Sequence, residues 1–270
     1  MTTLLQISDM HFGTEQPDVA AALLALSHEK TPDVLVVSGD ITQRATREQF
    51  SSAKAFCDRM RATQMVCLPG NHDIPLYNLW ARVVSPYAAY QHSFGPVLEP
   101  ELLTDSLCIV TVNTTRWWRH KNGEVSAAQI ERVCAQLSRA LPQQLRVVVV
   151  HQPVYVLRPQ DEHDCLRGWQ SAVRAWAAAG ADIVMGGHIH LPYVCELSST
   201  VSGLNRRMWC VQAGTAVSSR IRREAPNSVN LLEFTSAGDG LRCAVERWDY
   251  QATAGQFALA HTSVLNLQRD

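Results

Sequence analysis

Residues 34–40 read Val-Leu-Val-Val-Ser-Gly-Asp, an aliphatic run that stops at a glycine and a carboxylate. Four to six apolar residues without polar alternation suit a strand buried on both faces. The same shape recurs at Leu4–Ile7, Met65–Leu68, Leu107–Val112, Val147–Val150 and Ile183–Met185. Helical patterns lie between these runs. Asp18 is placed to cap a helix over Val19–Glu29. Thr46 with Gln49, and Ser126 with Gln129, form the pairing that closes a first helical turn. Phe50, Ala53, Cys57 and Met60 then share one face of the first helix, and Ile130, Val133, Cys134, Leu137 and Leu141 one face of the second. Another helix runs from Gly168 to Ala179 and is stopped by Gly180. Strands alternating with helices predict an α/β layered fold.

The last part of the chain changes style. Met208–Val211, Leu231–Phe234 and Arg242–Trp248 read as strands separated by turns such as Ser236–Gly240, so a second, antiparallel section is expected to pack on the same core. The whole is read as one domain over residues 1–270, with a core at 1–195 and a mostly β section at 196–270. Segments 74–101 and 155–166 fit neither pattern, and long irregular stretches of this kind often form walls or lids.

Composition narrows the function. The net charge of −1 argues against a grip on duplex nucleic acid or anionic membrane, both of which want a basic surface. The longest aliphatic run, Val147–Val150, is far short of the ~20 residues of a membrane span. The N-terminus carries no secretory pattern. None of the eight cysteines forms a Cys-x-x-Cys pair, so reduced, core-filling thiols and a cytoplasmic location are expected.

Chemistry gathers just past the strand ends. The runs close on Asp9-Met-His11, Gly39-Asp40, Gly70-Asn71-His72-Asp73, His151 and Gly186-Gly187-His188-Ile-His190. In an open α/β sheet that edge is where ligands bind. Residues two apart in extended backbone point the same way, so Asp9 with His11, and His188 with His190, can converge on one ion. Carboxylate, amide oxygen and imidazole together suit Mn, Fe, Zn, Co or Ni, and no thiolate is present to suggest a structural zinc. Asp9, His11, Asp40, Asn71, His151, His188 and His190 are too many ligands for one ion and about right for two sharing a carboxylate. Such a pair is built for phosphoryl chemistry.

These five ordered blocks resemble the signature of calcineurin-like metallophosphoesterases, most closely the bacterial class III cyclic-nucleotide phosphodiesterase group. The resemblance implies a four-layer αββα sandwich of two mixed β-sheets. It implies one ion held by Asp9, His11, Asp40 and His190, and a second held by Asp40, Asn71, His151 and His188. The expected cofactors are two transition-metal ions, Mn, Fe or Zn. His72, oriented by Asp73, is expected to protonate the leaving group, with Asn71 helping to stabilise charge, as a metal-bound hydroxide attacks phosphorus. The expected substrate is a small-molecule phosphodiester, cyclic nucleotide first, then a glycerophosphodiester or nucleotide-linked pyrophosphate. The alternatives are a phosphomonoesterase or phosphoprotein phosphatase, and a scaffold that has lost its metals.

Other features have plainer readings. Arg116, Trp117 and His120 lie in a basic, indole-bearing segment that suits a substrate wall or an anchored surface loop equally. Tyr77, Trp80 and Tyr87 are spaced for core packing. His28, His92 and His261 read as ordinary residues, and the Arg220–Arg223 cluster as a solvated face. Gly255–Asp270 is apolar enough to cover a sheet edge or to pack on a neighbour as a homodimer.

Overall fold

In the computed structural model, which describes residues 1–222, 225–237 and 240–268, the aliphatic runs become strands whose alternate residues feed two different cores. The first half contains β1 (Thr2–Ile7), α1 (Pro17–Lys30), β2 (Val34–Ser38), α2 (Arg47–Arg59), β3 (Gln64–Leu68), α3 (Leu79–Val84), α4 (Ala88–Phe94), β4 (Glu101–Leu103), β5 (Leu107–Thr111) and α5 (Ala127–Leu137). The second contains β6 (Leu145–Val149), α6 (Trp169–Ala178), β7 (Ile183–Gly186), β8 (Tyr193–Glu196), β9 (Trp209–Gln212), β10 (Ser228–Ala237), β11 (Gly240–Gln251) and β12 (Gln256–Leu265). Two mixed sheets result, ordered β12-β11-β10-β1-β2-β3 and β4-β5-β6-β7-β9-β8.

The period of two along each strand sorts side chains into layers. Leu4, Val34, Val36, Ile109, Val147 and Val149 meet in a core made by the facing sheets. Leu5, Ile7, Leu35 and Val37 turn the other way, onto Leu23 of α1 and Phe50 of α2. Cys108, Val110, Val148 and Val150 turn outward from the second sheet onto Val133 of α5 and Trp176 of α6. Three apolar interfaces between four layers make the αββα sandwich.

The helix starts hold with one shift, whereas Leu141, expected on the buried face of its helix, lies beyond the end of α5 at Leu137 and is exposed. Thr46 Oγ1 accepts from the Gln49 N–H at 3.2 Å, and Ser126 and Gln129 cap each other reciprocally. Helix α1 instead starts at Pro17 with no side-chain cap, because proline at the first position already has the required φ.

The C-terminal strands do not build a section of their own. β10 pairs antiparallel with β1, Leu4 opposite Leu232, and β11 and β12 extend the same sheet. Phe234, Cys243 and Val245 thereby reach the central core. Most of the Gly255–Asp270 tail becomes edge strand β12, which covers β11; residues 269–270 lie outside the described residues, as do 238–239 of the expected Ser236–Gly240 turn. The expected core packing of Tyr77 and Trp80 fails, since they are 75 % and 78 % exposed. The buried residue of α3 is Arg82, whose guanidinium donates to the Pro75 and Arg119 carbonyls. Among the described residues no helix is long and apolar enough to cross a membrane.

Candidate metal centre

The parallel strands of both sheets end at one seam. β1, β2 and β3 run in register, Ile7 beside Val37 and Ser38 beside Leu68, so their following loops emerge together. Asp9, His11, Asp40, Asn71 and His72 come from these loops. His151 and the His188–His190 pair come from the ends of β6 and β7 in the other sheet. Hydrogen bonds lock the two sheets at the seam. The His188 N–H donates to Asp9 Oδ2 at 2.9 Å, His151 Nδ1 to the Ser38 carbonyl at 2.8 Å, and Gln6 Nε2 to the Gly186 carbonyl at 3.0 Å.

The seven sequence-predicted ligands are brought together. Asp9, His11 and His190 form one group with donor atoms all within 4.8 Å of one another; Asp40, His151 and His188 form another. Asp40 also groups with His11 and His72, so its carboxylate lies between the two clusters. Asn71 Oδ1 stands 3.2 Å from His151 Nε2.

Proton placement favours cations at these points. His151 spends its Nδ1 proton on Ser38, and His190 spends its own on the Arg220 carbonyl. Their Nε2 atoms then face other acceptors: Asn71 Oδ1 for His151, and Asp9 Oδ1 at 3.2 Å for His190. Lone pairs in such contact need a proton or a metal ion between them. A ligating histidine that donates its far N–H to a backbone carbonyl has its tautomer and ring direction fixed. Asp9 Oδ1, His11 Nδ1 and both His188 nitrogens are buried and make no hydrogen bond. These orphaned atoms, and the absence of sulfur from the set, fit a transition-metal pair.

The backbone is strained at the same place. Asp9, His11, Asp40, His188 and His190 have φ of 52°, 42°, 49°, 75° and 56°, in the left-handed region that side chains with a Cβ avoid. Each such residue costs about 1–3 kcal/mol and persists only where its surroundings over-determine it. Here the Asp9 N–H bonds the Gly39 carbonyl and the His11 N–H bonds the Asp40 carbonyl. Gly39 has φ +94°, and a Cβ on it would stand 2.4 Å from His151 Nδ1, so the close approach of the two sheets requires glycine.

Electrostatics follows from packing acids and imidazoles out of water. Burial pushes the Asp9 carboxyl up, but His190 and His151 outweigh it and hold the group at about 2. Asp40 is likewise held well below its usual value by His151 and His72 against burial. Burial drives His11 down to about 3, whereas Asp40 overcomes burial at His151 and raises it to about 9.

The remaining predicted residues divide. His72 is half-buried, its ring 4.8 Å from that of His11, edge to face. The expected His72–Asp73 contact is replaced by a hydrogen bond from His72 Nδ1 to the Gln43 carbonyl at 3.2 Å. Asp73 accepts instead from the N–H groups of Ile41, Thr42 and Gly70 and from the Thr42 hydroxyl, which makes it the brace of the Asp40 loop. Burial and then Asp40 push its carboxyl up to about 7. Arg116 spends its guanidinium on the Asn113 and Thr115 carbonyls and on Gln129. With Trp117 and Trp118 it lines a groove of about 690 Å³ whose walls include no ligand candidate. His120 is exposed, and partial burial and then nearby His72 lower its pKa.

Sequence reasoning missed three groups. Asp164, from the 155–166 segment, lies 3.7 Å from His188 Nε2 and 2.6 Å from Lys121 Nζ. Gln43 and Arg220 flank His72, with Arg220 Nη1 3.4 Å from His72 Nε2. The solvated-face reading of Arg220–Arg223 therefore fails at Arg220 and also at Arg222, which is ion-paired with Asp161; Arg223 lies outside the described residues. The signal for Arg220 was the strand ending near Val211, whose parallel pairing with β7 aims the following loop at the same seam.

Fold and cage together place a set of oxygen and nitrogen donors suited to metal ions at the ends of the parallel strands. The family model described as Calcineurin-like phosphoesterase matches residues 2–192, and the chain belongs to that family, whose chemistry is metal-dependent phosphoester hydrolysis at a dimetal centre. Among solved structures, the purple acid phosphatase PPD1 from yellow lupin (Lupinus luteus) seeds is similar at TM-score 0.69 and 15 % identity, over 97 % of this chain and 53 % of that one. This chain thus spans about half the length of the lupin protein. A dimetal phosphatase from Danio rerio is similar at TM-score 0.67 and 13 % identity over 99 % of both chains. A Vps29 from Entamoeba histolytica complexed with zinc is similar at 0.51 and 12 %, over 98 % of this chain and 100 % of that one. No curated protein sequence matches the chain. At such identities these likenesses speak to the fold alone.

Proposed function

We propose that this chain hydrolyses a phosphodiester bond in a small molecule, with a cyclic nucleotide the first candidate, as in the class III cyclic-nucleotide phosphodiesterases its motifs resemble. The observation that carries the reading is the buried cage of oxygen and nitrogen donors centred on Asp40. In this reading Asp9, His11, Asp40 and His190 hold one ion of Mn, Fe or Zn, and Asp40, Asn71, His151 and His188 hold the other. When bound, the pair supplies an activated water at neutral pH and positive charge for the phosphoryl oxygens.

The protein's own groups do the rest. Ser38 and Arg220 carbonyls aim the His151 and His190 rings inward. The Gln43 carbonyl holds the proton on His72 Nδ1, which leaves Nε2 as the atom that exchanges a proton with the departing oxygen. An alkyl ester departs as a poor alkoxide, so a positioned acid assists its loss, typically by a factor of about 10²–10⁴. Cysteines that are mostly buried in the apolar cores as thiols support a reducing compartment such as the cytoplasm.

The names of the lupin and Danio rerio proteins favour a second reading, hydrolysis of monoesters. Turnover of bis-p-nitrophenyl phosphate against p-nitrophenyl phosphate by metal-loaded protein separates the two. Faster diester hydrolysis, with cyclic nucleotide turned over in the same assay, is expected. Preference for the monoester overturns the choice. His72→Ala is expected to lower turnover of the cyclic nucleotide, whose leaving group is an alkoxide, while both metals stay bound; loss of the metals in that variant contradicts the role given to His72.

A further inference from the structure

We propose that Arg220 is a substrate-binding residue that grips the phosphoryl group on the His72 side of the cage. This inference rests on the phosphoesterase reading and adds to it a specific anion contact outside the metal ligands.

Arg220 lies in the loop between β9 and β10, thirty residues beyond the last ligand motif. Its backbone is tied to the cage. The Arg220 N–H donates to Ser218 Oγ at 3.3 Å, and Ser218 Oγ in turn donates to the Asp9 carbonyl. The Arg220 carbonyl accepts from His190 Nδ1 and from Thr215 Oγ1. Its side chain is directed as well: Nη1 donates to Gln43 Oε1 at 2.8 Å and reaches His72 Nε2 at 3.4 Å.

Among the described residues the charge of this guanidinium has no ion-pair partner, and its Nε and Nη2 donate to no protein acceptor. Its near neighbour Arg222 is ion-paired with Asp161 at 3.1 Å, and across the seam Lys121 is paired with Asp164. A half-buried cation, oriented by a neutral amide and holding unused donors, is arranged to take an anion from outside. Two parallel N–H groups of a guanidinium match two non-bridging oxygens of a phosphoryl group. Because Gln43 and the loop backbone fix the side chain beforehand, little rotamer freedom is lost when the anion arrives. An ester oxygen leaving toward His72 Nε2 would keep its phosphorus beside the same guanidinium.

The test compares Mn-loaded wild type with Arg220→Met and Arg220→Lys. It measures metal content, calorimetric affinity for inorganic phosphate, and kcat and KM for bis-p-nitrophenyl phosphate. Neither substitution touches the carbonyl that orients His190, so full metal content is expected in both. Arg220→Met is expected to weaken phosphate binding about ten- to hundredfold, the worth of a charge-assisted hydrogen bond, and to raise KM. Arg220→Lys is expected to recover part of the phosphate affinity. Wild-type phosphate affinity in Arg220→Met overturns the proposal. Loss of metal from that variant overturns it too, by making Arg220 a prop for the cage. A wild-type chain that binds Mn but neither binds phosphate nor cleaves the diester defeats the phosphoesterase reading itself, before any variant is compared.

Discussion

Adding one methyl group at Gly70 should take the metal centre apart while leaving most of the fold in place. A Cβ built there stands 2.2 Å from both the Asp40 backbone nitrogen and Asp40 Oδ1. Ordinary contact needs at least 3.4 Å, so the Asp40 loop must retreat by about 1.2 Å, and it is backbone that must move. Overpacking of this kind costs about 1–3 kcal/mol. Disturbing the groups that hold a metal ligand in place costs metal affinity by up to about a hundredfold. At a metal concentration a thousandfold above the wild-type Kd, binding stabilises the fold by about 4.1 kcal/mol; a hundredfold weaker Kd leaves about 1.4 kcal/mol. For a chain of this size the difference corresponds to about 5–11 °C of metal-induced shift in Tm. Thermal unfolding of Gly70→Ala with and without Mn, beside metal content, measures this directly. A variant with the wild-type Tm shift and two ions per chain would refute the reasoning, because it would mean that Asp40 need not stay where the structure puts it.

Three further outcomes follow from the same geometry. His151, raised to about 9 by Asp40, is protonated at neutral pH and must lose that proton to ligate a metal. Metal affinity should therefore rise with pH up to about 9 and level off above it, with close to one proton released per His151 bound; calorimetry in two buffers of different ionisation enthalpy reads the proton, and a pH-independent affinity contradicts the account. Asp73→Ala leaves the buried N–H groups of Ile41, Thr42 and Gly70 without their acceptor, so a loss of about 3 kcal/mol or more is expected in denaturant unfolding. Asp164→Ala removes the carboxylate beside His188 and should weaken one of the two ions about ten- to hundredfold in a metal titration, leaving the other unchanged.

Much of this arrangement could be read before any coordinates. Runs such as Val34–Val37 specify strands buried on both faces, and the layered sandwich follows once each strand's two sides must be covered. The meeting of the candidate ligand positions was legible because strand ends are marked by glycine and polar residues, and because parallel strands deliver their ends to one edge. What could not be read were contacts between distant loops. Asp73 follows His72 directly, yet its carboxylate turns to the Asp40 loop and accepts from the N–H groups of Ile41, Thr42 and Gly70. Arg220 sits in a basic tetrapeptide that on composition alone looks like a solvated face. Only the pairing of β9 with β7 carries it to His72. The tail at Gln256–Leu265 lacked a signal for its partner, since an edge strand is chosen by the sheet it joins and by little in its own sequence.

The central claim is that Asp40 stands between two metal ions. Anomalous diffraction from crystals of the Mn-loaded protein tests it most directly. The account predicts two peaks about 3.5–4 Å apart, one among Asp9, His11 and His190 and one among Asn71, His151 and His188, with the Asp40 carboxylate touching both. A single peak, or two that do not share Asp40, would contradict it.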